Sequence, residues 1–152
     1  MRHPSLIPLS HDHHHGLALA LRCRKQALGQ LKPLGTAGLR ARADEFRKFF
    51  STHLVPHFRA EEEVLFPLLK SVSAESGALV ERLLKEHAQI KAVIPQLESN
   101  IGLGKLLFDA GDLLERHIRS EERELFPLFE HPVGAQEAEA AGEKIKKILG
   151  AR

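Results

Sequence analysis

Residues 57–68 read HFRAEEEVLFPL, and residues 117–128 read HIRSEERELFPL. Both fit H-x-R-x-E-E-x-x-L-F-P-L. On an α-helix, residues four apart lie on one face, one above the other. The spacing therefore stacks His57 with Glu61 and His117 with Glu121. Each pair runs on in phase into apolar residues, Val64 and Leu68 in the first copy and Leu125 and Leu128 in the second. A histidine and a carboxylate that share a stripe with core leucines point inward. A carboxylate buried without a partner is costly, and a metal ion or an opposite charge offsets that cost. Two such pairs on two helices are what a dinuclear metal site requires.

Working outward, period-3.6 patterning predicts four long helices. They run from about Ser10 to Leu31, Leu39 to Lys70, Ser76 to Asn100 and Lys105 to Phe129, with Ser10 or Asp12 as N-cap of the first. The first stripe is His14, Leu17, Leu21, Leu28 and Leu31, interrupted by Arg24. The third is the most regular: Leu83, His87, Ile90, Ile94, Leu97 and Ile101. Pro56 and Pro67 predict a kink and a tightening in the second helix. A Pro-Gly break at residues 131–134 precedes a short fifth amphipathic helix, about Ala135 to Leu149. No segment alternates with period two over a strand's length. The expected fold is all-α: one domain over residues 1–152, an up-down-up-down four-helix bundle (core about 10–130) with a short additional C-terminal helix. The repeat relates helices one and two to helices three and four by a pseudo-twofold axis.

Each helix then carries one histidine on its apolar stripe, His14, His57, His87 and His117, and Glu61 and Glu121 add two carboxylates. These six are the expected metal ligands. Imidazole with carboxylate suits iron, manganese or zinc. Two carboxylates can bridge two ions while four imidazoles cap them. In the tract His11-Asp12-His13-His14-His15, phase favours His14; His11 is also in phase and His13 lies one step round. A lone inward histidine is more often a hydrogen-bonded core residue than a ligand, and the duplication is what argues otherwise. Glu62 and Glu122 sit about 100° round the helix from the inward glutamates. They either face water, the commoner fate, or hydrogen-bond the imidazoles. His53 precedes His57 by one turn, but its repeat counterpart is Leu113. Arg59 and Arg119 look solvent-facing.

The remaining composition narrows the function. Of 152 residues, 43% are apolar and 28% charged, ordinary values for a globular chain, and a net charge of +2 gives no argument for nucleic acid or a membrane surface. No apolar run approaches a membrane span, and the first residues lack a secretory leader. The one cysteine, Cys23, excludes a disulfide framework and four-thiolate zinc sites, so a cytoplasmic setting is expected. Ten histidines is a high count, and with neither Trp nor Tyr any charge-transfer band would stand out. A ferritin-like di-iron protein would use Glu-x-x-His pairs; no histidine here has Glu three residues before it.

Taken together, the Asp12-His13-His14 stretch, the two His-x3-Glu-Glu…Leu-Phe-Pro copies and Glu86-His87 resemble the hemerythrin-like, or HHE cation-binding, domain over roughly residues 10–130. The resemblance implies a four-helix bundle with a non-haem di-iron centre, zinc or manganese being the other ions the ligands admit. It carries over to His14, His57, Glu61, His87, His117 and Glu121. It implies binding or sensing of O2, peroxide or NO, or iron handling. Oxygen-carrying hemerythrins have a further histidine one turn after the third-helix ligand, where this chain has Lys91, and use His-x4-Asp on the last helix. The difference favours sensing, iron handling or oxidant chemistry over reversible O2 carriage. An enzyme turning over peroxide or NO is the alternative, and a metal-free interaction bundle the second.

Overall fold

The computed structural model describes residues 2–150; Met1, Ala151 and Arg152 lie outside the described residues. Among the described residues there is no strand, and the helices pack as a bundle. After a 3-10 turn at Pro4–Leu6, α1 spans Ile7–Ala27. Helix α2 covers residues 35–70, α3 Ala74–Gln96, α4 residues 103–130 and α5 Ala135–Leu149. The chain thus forms the four long helices and the short fifth that the patterning predicts.

Several boundaries differ from expectation for local reasons. Helix α1 begins earlier, at the proline-initiated turn, so neither Ser10 nor Asp12 caps it; both are buried within the helix. It also ends earlier than Leu31. Gly29 takes φ 73°, its N–H donates to the Gln26 carbonyl, and the Gln30 N–H donates to the Lys25 carbonyl. Those two bonds make a Schellman stop. Helix α3 starts at a reciprocal cap, with Ser76 N–H donating to Ser73 Oγ and Ser73 N–H to Ser76 Oγ. It stops at Gln96, which leaves Ile101 90% exposed rather than on the stripe.

The α1 stripe is the main correction. Leu21 and Leu28 are exposed and Leu17 only half-buried, while Leu9, His13, Gly16, Leu19, Ala20 and Cys23 are buried. The large residues mislead because α1 approaches α4 through small ones. A Cβ on Gly16 would come within 2.7 Å of Ile118 Cδ1, and one on Gly111 of α4 within 2.8 Å of the Ala20 carbonyl oxygen. Arg24 is half-buried and pairs across this interface with Glu115.

Helices α2 and α4 are not uniform. In α2, α-helical segments Gly35–Phe49, Val55–Ala60 and Phe66–Lys70 are joined by wide π turns at Phe50–Leu54 and Glu61–Leu65. In α4, one π turn at Glu121–Leu125 joins Leu103–Ser120 to Phe126–Glu130. Each turn closes with an N–H reaching back five residues: Val55 to Phe50, Phe66 to Glu61 and Phe126 to Glu121. Each time the next residue is proline: Pro56, Pro67 and Pro127. Proline has no N–H and its ring crowds the carbonyl four residues back, so a turn widened by one residue relieves both conflicts. The prolines therefore widen the preceding turns rather than tighten or kink the helix. The extra residue also moves the buried face on by one. Leu65, Phe66 and Leu69 are buried after Glu61, with Val64 and Leu68 half-buried; after Glu121 it is Leu125, Phe126 and Phe129, with Leu128 half-buried.

The core has two apolar parts. One gathers Leu6, Leu9, Phe66, Phe126 and Phe129 with Ala138, Ala141 and Ile145 of α5. The other gathers Leu19, Phe46, Phe58, Ile90, Leu107 and Leu114. Helix α5 packs on the first, against the N-terminal turn and residues 55–65 of α2. Where Ser5 Oγ donates to the Ala138 carbonyl, a Cβ on Gly142 would lie 2.3 Å from that hydroxyl. Gly111→Ala, which forces the α1 backbone away from α4, is expected to cost about 1–3 kcal/mol in chemical denaturation. An unchanged stability would refute the close approach.

Candidate metal centre

The inward histidines and glutamates lie between the two apolar parts. His13, His57, Glu61, His87, His117 and Glu121 are each at most 3% exposed. His14 is exposed and takes no part, so the expectation for α1 is corrected to His13. The phase of α1 follows its small residues rather than its leucines, which turns His13 inward. A sequence signal for this existed in the acid–His dipeptide Asp12-His13, the counterpart of Glu86-His87 on α3. The other five expected residues are brought together. His53 lies outside the cluster.

The six fall into two groups that share both glutamates. His13, His57, Glu61 and Glu121 offer ligand atoms all within 4.8 Å of one another, and so do Glu61, His87, His117 and Glu121. Each carboxylate divides its oxygens between the groups. Glu61 Oε2 is 3.3 Å from His57 Nε2, and Oε1 is 3.1 Å from His87 Nε2. Glu121 Oε1 is 2.9 Å from His13 Nε2, and Oε2 is 3.2 Å from His117 Nε2. All four imidazoles present Nε2 to the centre.

Nδ1 is held from behind in every case. His57 Nδ1–H donates to Asp12 at 2.9 Å, His117 to Glu86 at 2.7 Å, His87 to Glu62 at 2.7 Å and His13 to Glu122 at 2.6 Å. Such carboxylates fix the tautomer that leaves Nε2 free to bind an ion. The scheme obeys the pseudo-twofold: the acid preceding a histidine on α1 or α3 orients the histidine of α2 or α4, and Glu62 and Glu122 reach across from α2 and α4 to the histidines of α3 and α1. Glu62 and Glu122 are thus the imidazole-orienting acids rather than members of a solvated face. Outside them, Arg2 lies 3.4 Å from Glu122, Lys91 3.7 Å from Glu62 and Arg82 3.9 Å from Glu86. Rings close the site above and below. Phe58 stacks on His87 with centroids 3.7 Å apart, and Phe126 on His13 at 5.4 Å.

The donor set fits a cation. Both oxygens of Glu61, Oε2 of Glu121, and Nε2 of His87 and His117 are buried and make no hydrogen bond, although their separations are short. Buried polar atoms seldom stay unsatisfied, and here they converge. Without an ion the imidazoles of His87 and His117 hold protons more tightly than usual. Burial opposes the imidazolium of His87 and His117, yet Glu61 and Glu121 outweigh it and push the two up to about 9 and about 10. Burial likewise opposes the charge on Glu121, and His117 overrides it to hold that carboxyl well below its ordinary value.

A helical bundle with two buried His2Glu2 groups around shared carboxylates is a cation-binding bundle. Over residues 5–129 the chain matches the family described as the hemerythrin HHE cation binding domain, and it belongs to that family. Comparison with curated proteins and with solved structures returned no match. No helix among the described residues is long and apolar enough to cross a membrane.

Two outcomes are expected. In chelated protein, His87 and His117 bind protons more tightly folded than unfolded, so their contribution is complete below pH 6.5, their ordinary value. It is lost as pH rises through about 9 and about 10. The melting temperature of chelated protein should therefore fall from pH 6.5 to 10; a flat profile would contradict the coupling of imidazoles to carboxylates. Second, Glu62→Gln and Glu122→Gln, which remove the charge behind His87 and His13, should each weaken metal binding about 10–100-fold in competition with a chelator. Wild-type affinity would show that the two acids are merely surface groups.

Proposed function

We propose that this protein holds two iron ions in the buried centre and uses them to bind or sense O2, peroxide or NO, or to handle iron. The observation that carries the dinuclear part is the division of each glutamate's oxygens between two histidine pairs. Glu61 and Glu121 would bridge; His13 and His57 would hold one ion, His87 and His117 the other. Iron bound there supplies one-electron chemistry toward oxygen species and NO. The all nitrogen-and-oxygen donor set suits iron, and also manganese or zinc.

The chain's own residues account for the rest. Two imidazole nitrogens and two carboxylate oxygens make four donors per group, fewer than an octahedral ion takes, so a small ligand has room. Phe58, Phe66 and Phe126 line the centre and keep bulk water out. Lys91, exposed beside Glu62, stands where the oxygen carriers have a further histidine. It acts on His87 only through Glu62, which favours sensing or oxidant chemistry over reversible carriage.

The test is metal content of untagged protein from iron-supplemented cells. About two irons per chain are expected, lost in Glu61→Gln/Glu121→Gln, reduced in His13→Gln and retained in His14→Gln. Two zinc or manganese ions would leave the centre standing and remove the oxygen reading. Two ions retained in the double glutamate variant would end the bridged arrangement. Multiple turnover of peroxide or NO would make the protein an enzyme rather than a sensor.

A further inference from the structure

While His13 turns inward, three neighbours on α1 face solvent: His11, His14 and His15. His11 and His15 are one turn apart on the same face. Their ring centroids are 4.8 Å apart with planes at 82°, and a 3.3 Å hydrogen bond joins their Nε2 atoms, the bond an ion would replace. Long exposed side chains have the whole solvent to spread into, yet here the outer nitrogens of both rings converge. Two nitrogens on one tetrahedral ion, with bonds of about 2.0–2.1 Å, lie about 3.3–3.4 Å apart. The pair already spans one edge of such a shell. Paired histidines four residues apart on a helix are a recognised zinc-binding spacing, and imidazole suits zinc, copper and nickel.

We propose that His11 and His15 form a second, solvent-facing clamp for a late first-row divalent ion, separate from the buried centre. It differs from that centre in each respect that sets selectivity. It has no carboxylate, no second histidine pair and no surrounding apolar wall, and water completes the shell. An all-imidazole clamp follows the ordinary affinity order, nickel and copper ahead of iron and manganese.

Ni2+ is the probe, used with untagged full-length protein whose buried centre has been loaded beforehand. Calorimetric titration should find one Ni2+ site per chain in wild type and in His14→Gln. His11→Gln and His15→Gln should each weaken it about tenfold or more, with the same order of retention on an immobilised-nickel resin. All three residues are exposed, so the variants should keep the wild-type melting temperature and the metal content of the buried centre. Wild-type affinity in His11→Gln and His15→Gln would overturn the clamp. So would an equal loss in His14→Gln, which would reduce the binding to a general effect of surface histidines.

Discussion

Two carboxylates at the middle of an apolar bundle are the constraint around which the rest of this structure is arranged. Ionised, each would cost several kcal/mol to bury alone. Every nearby departure from a plain helical bundle offsets that cost. Four imidazoles meet the carboxylates, four further acids orient the imidazoles, and surface cations stand behind three of those acids. Charge alternates outward from the centre, so no buried group faces only its own sign. Such a polar layer is worth having only when every member is satisfied. Among the six inward residues, the atoms left without hydrogen bonds are ones that converge on the two groups where a cation would sit.

The backbone serves the same layer. A regular helix through residues 57–69 cannot point Glu61 at the centre, aim Glu62 at the neighbouring helix and bury both Leu65 and Phe66. Widening the turn by one residue makes these demands compatible, and the proline that follows removes the N–H that would tighten it again. The close approach of α1 to α4, made possible by Gly16 and Gly111, sets His13 across from Glu121. Small residues and prolines, which contribute little to hydrophobic patterning, thus decide where the ligand atoms fall.

Much of this was legible in the sequence. The duplicated motif identifies four of the six inward residues and the helix pair that repeats, because His-x3-Glu spacing survives any change after the glutamate, and the regular stripe of the third helix adds His87. The phase beyond it was not legible: Val64 and Leu68 fit an α-helical stripe, and only the hydrogen bonds of the π turn show that Leu65, Phe66 and Leu69 take their place. His14 was the wrong histidine for a related reason. The leucines of α1 suggest one phase, whereas its buried face also runs through Gly16, Ala20 and Cys23. The roles of Glu62 and Glu122 depend on a neighbouring helix, and spacing within one helix carries no information about that.

The widened turns also bear on how such a chain could arise. A π turn is in effect a one-residue insertion into a helix, and the insertions at Glu61–Leu65 and Glu121–Leu125 occupy equivalent places in the two halves, each followed by Phe-Pro. If the halves descend from one helical hairpin, the insertion was fixed before the duplication, and two copies inherited a ready-made carboxylate together with the proline that protects it. The turn at Phe50–Leu54 has no partner at residues 110–114, which are regular α-helix. That single unmatched residue records where the two copies have parted company.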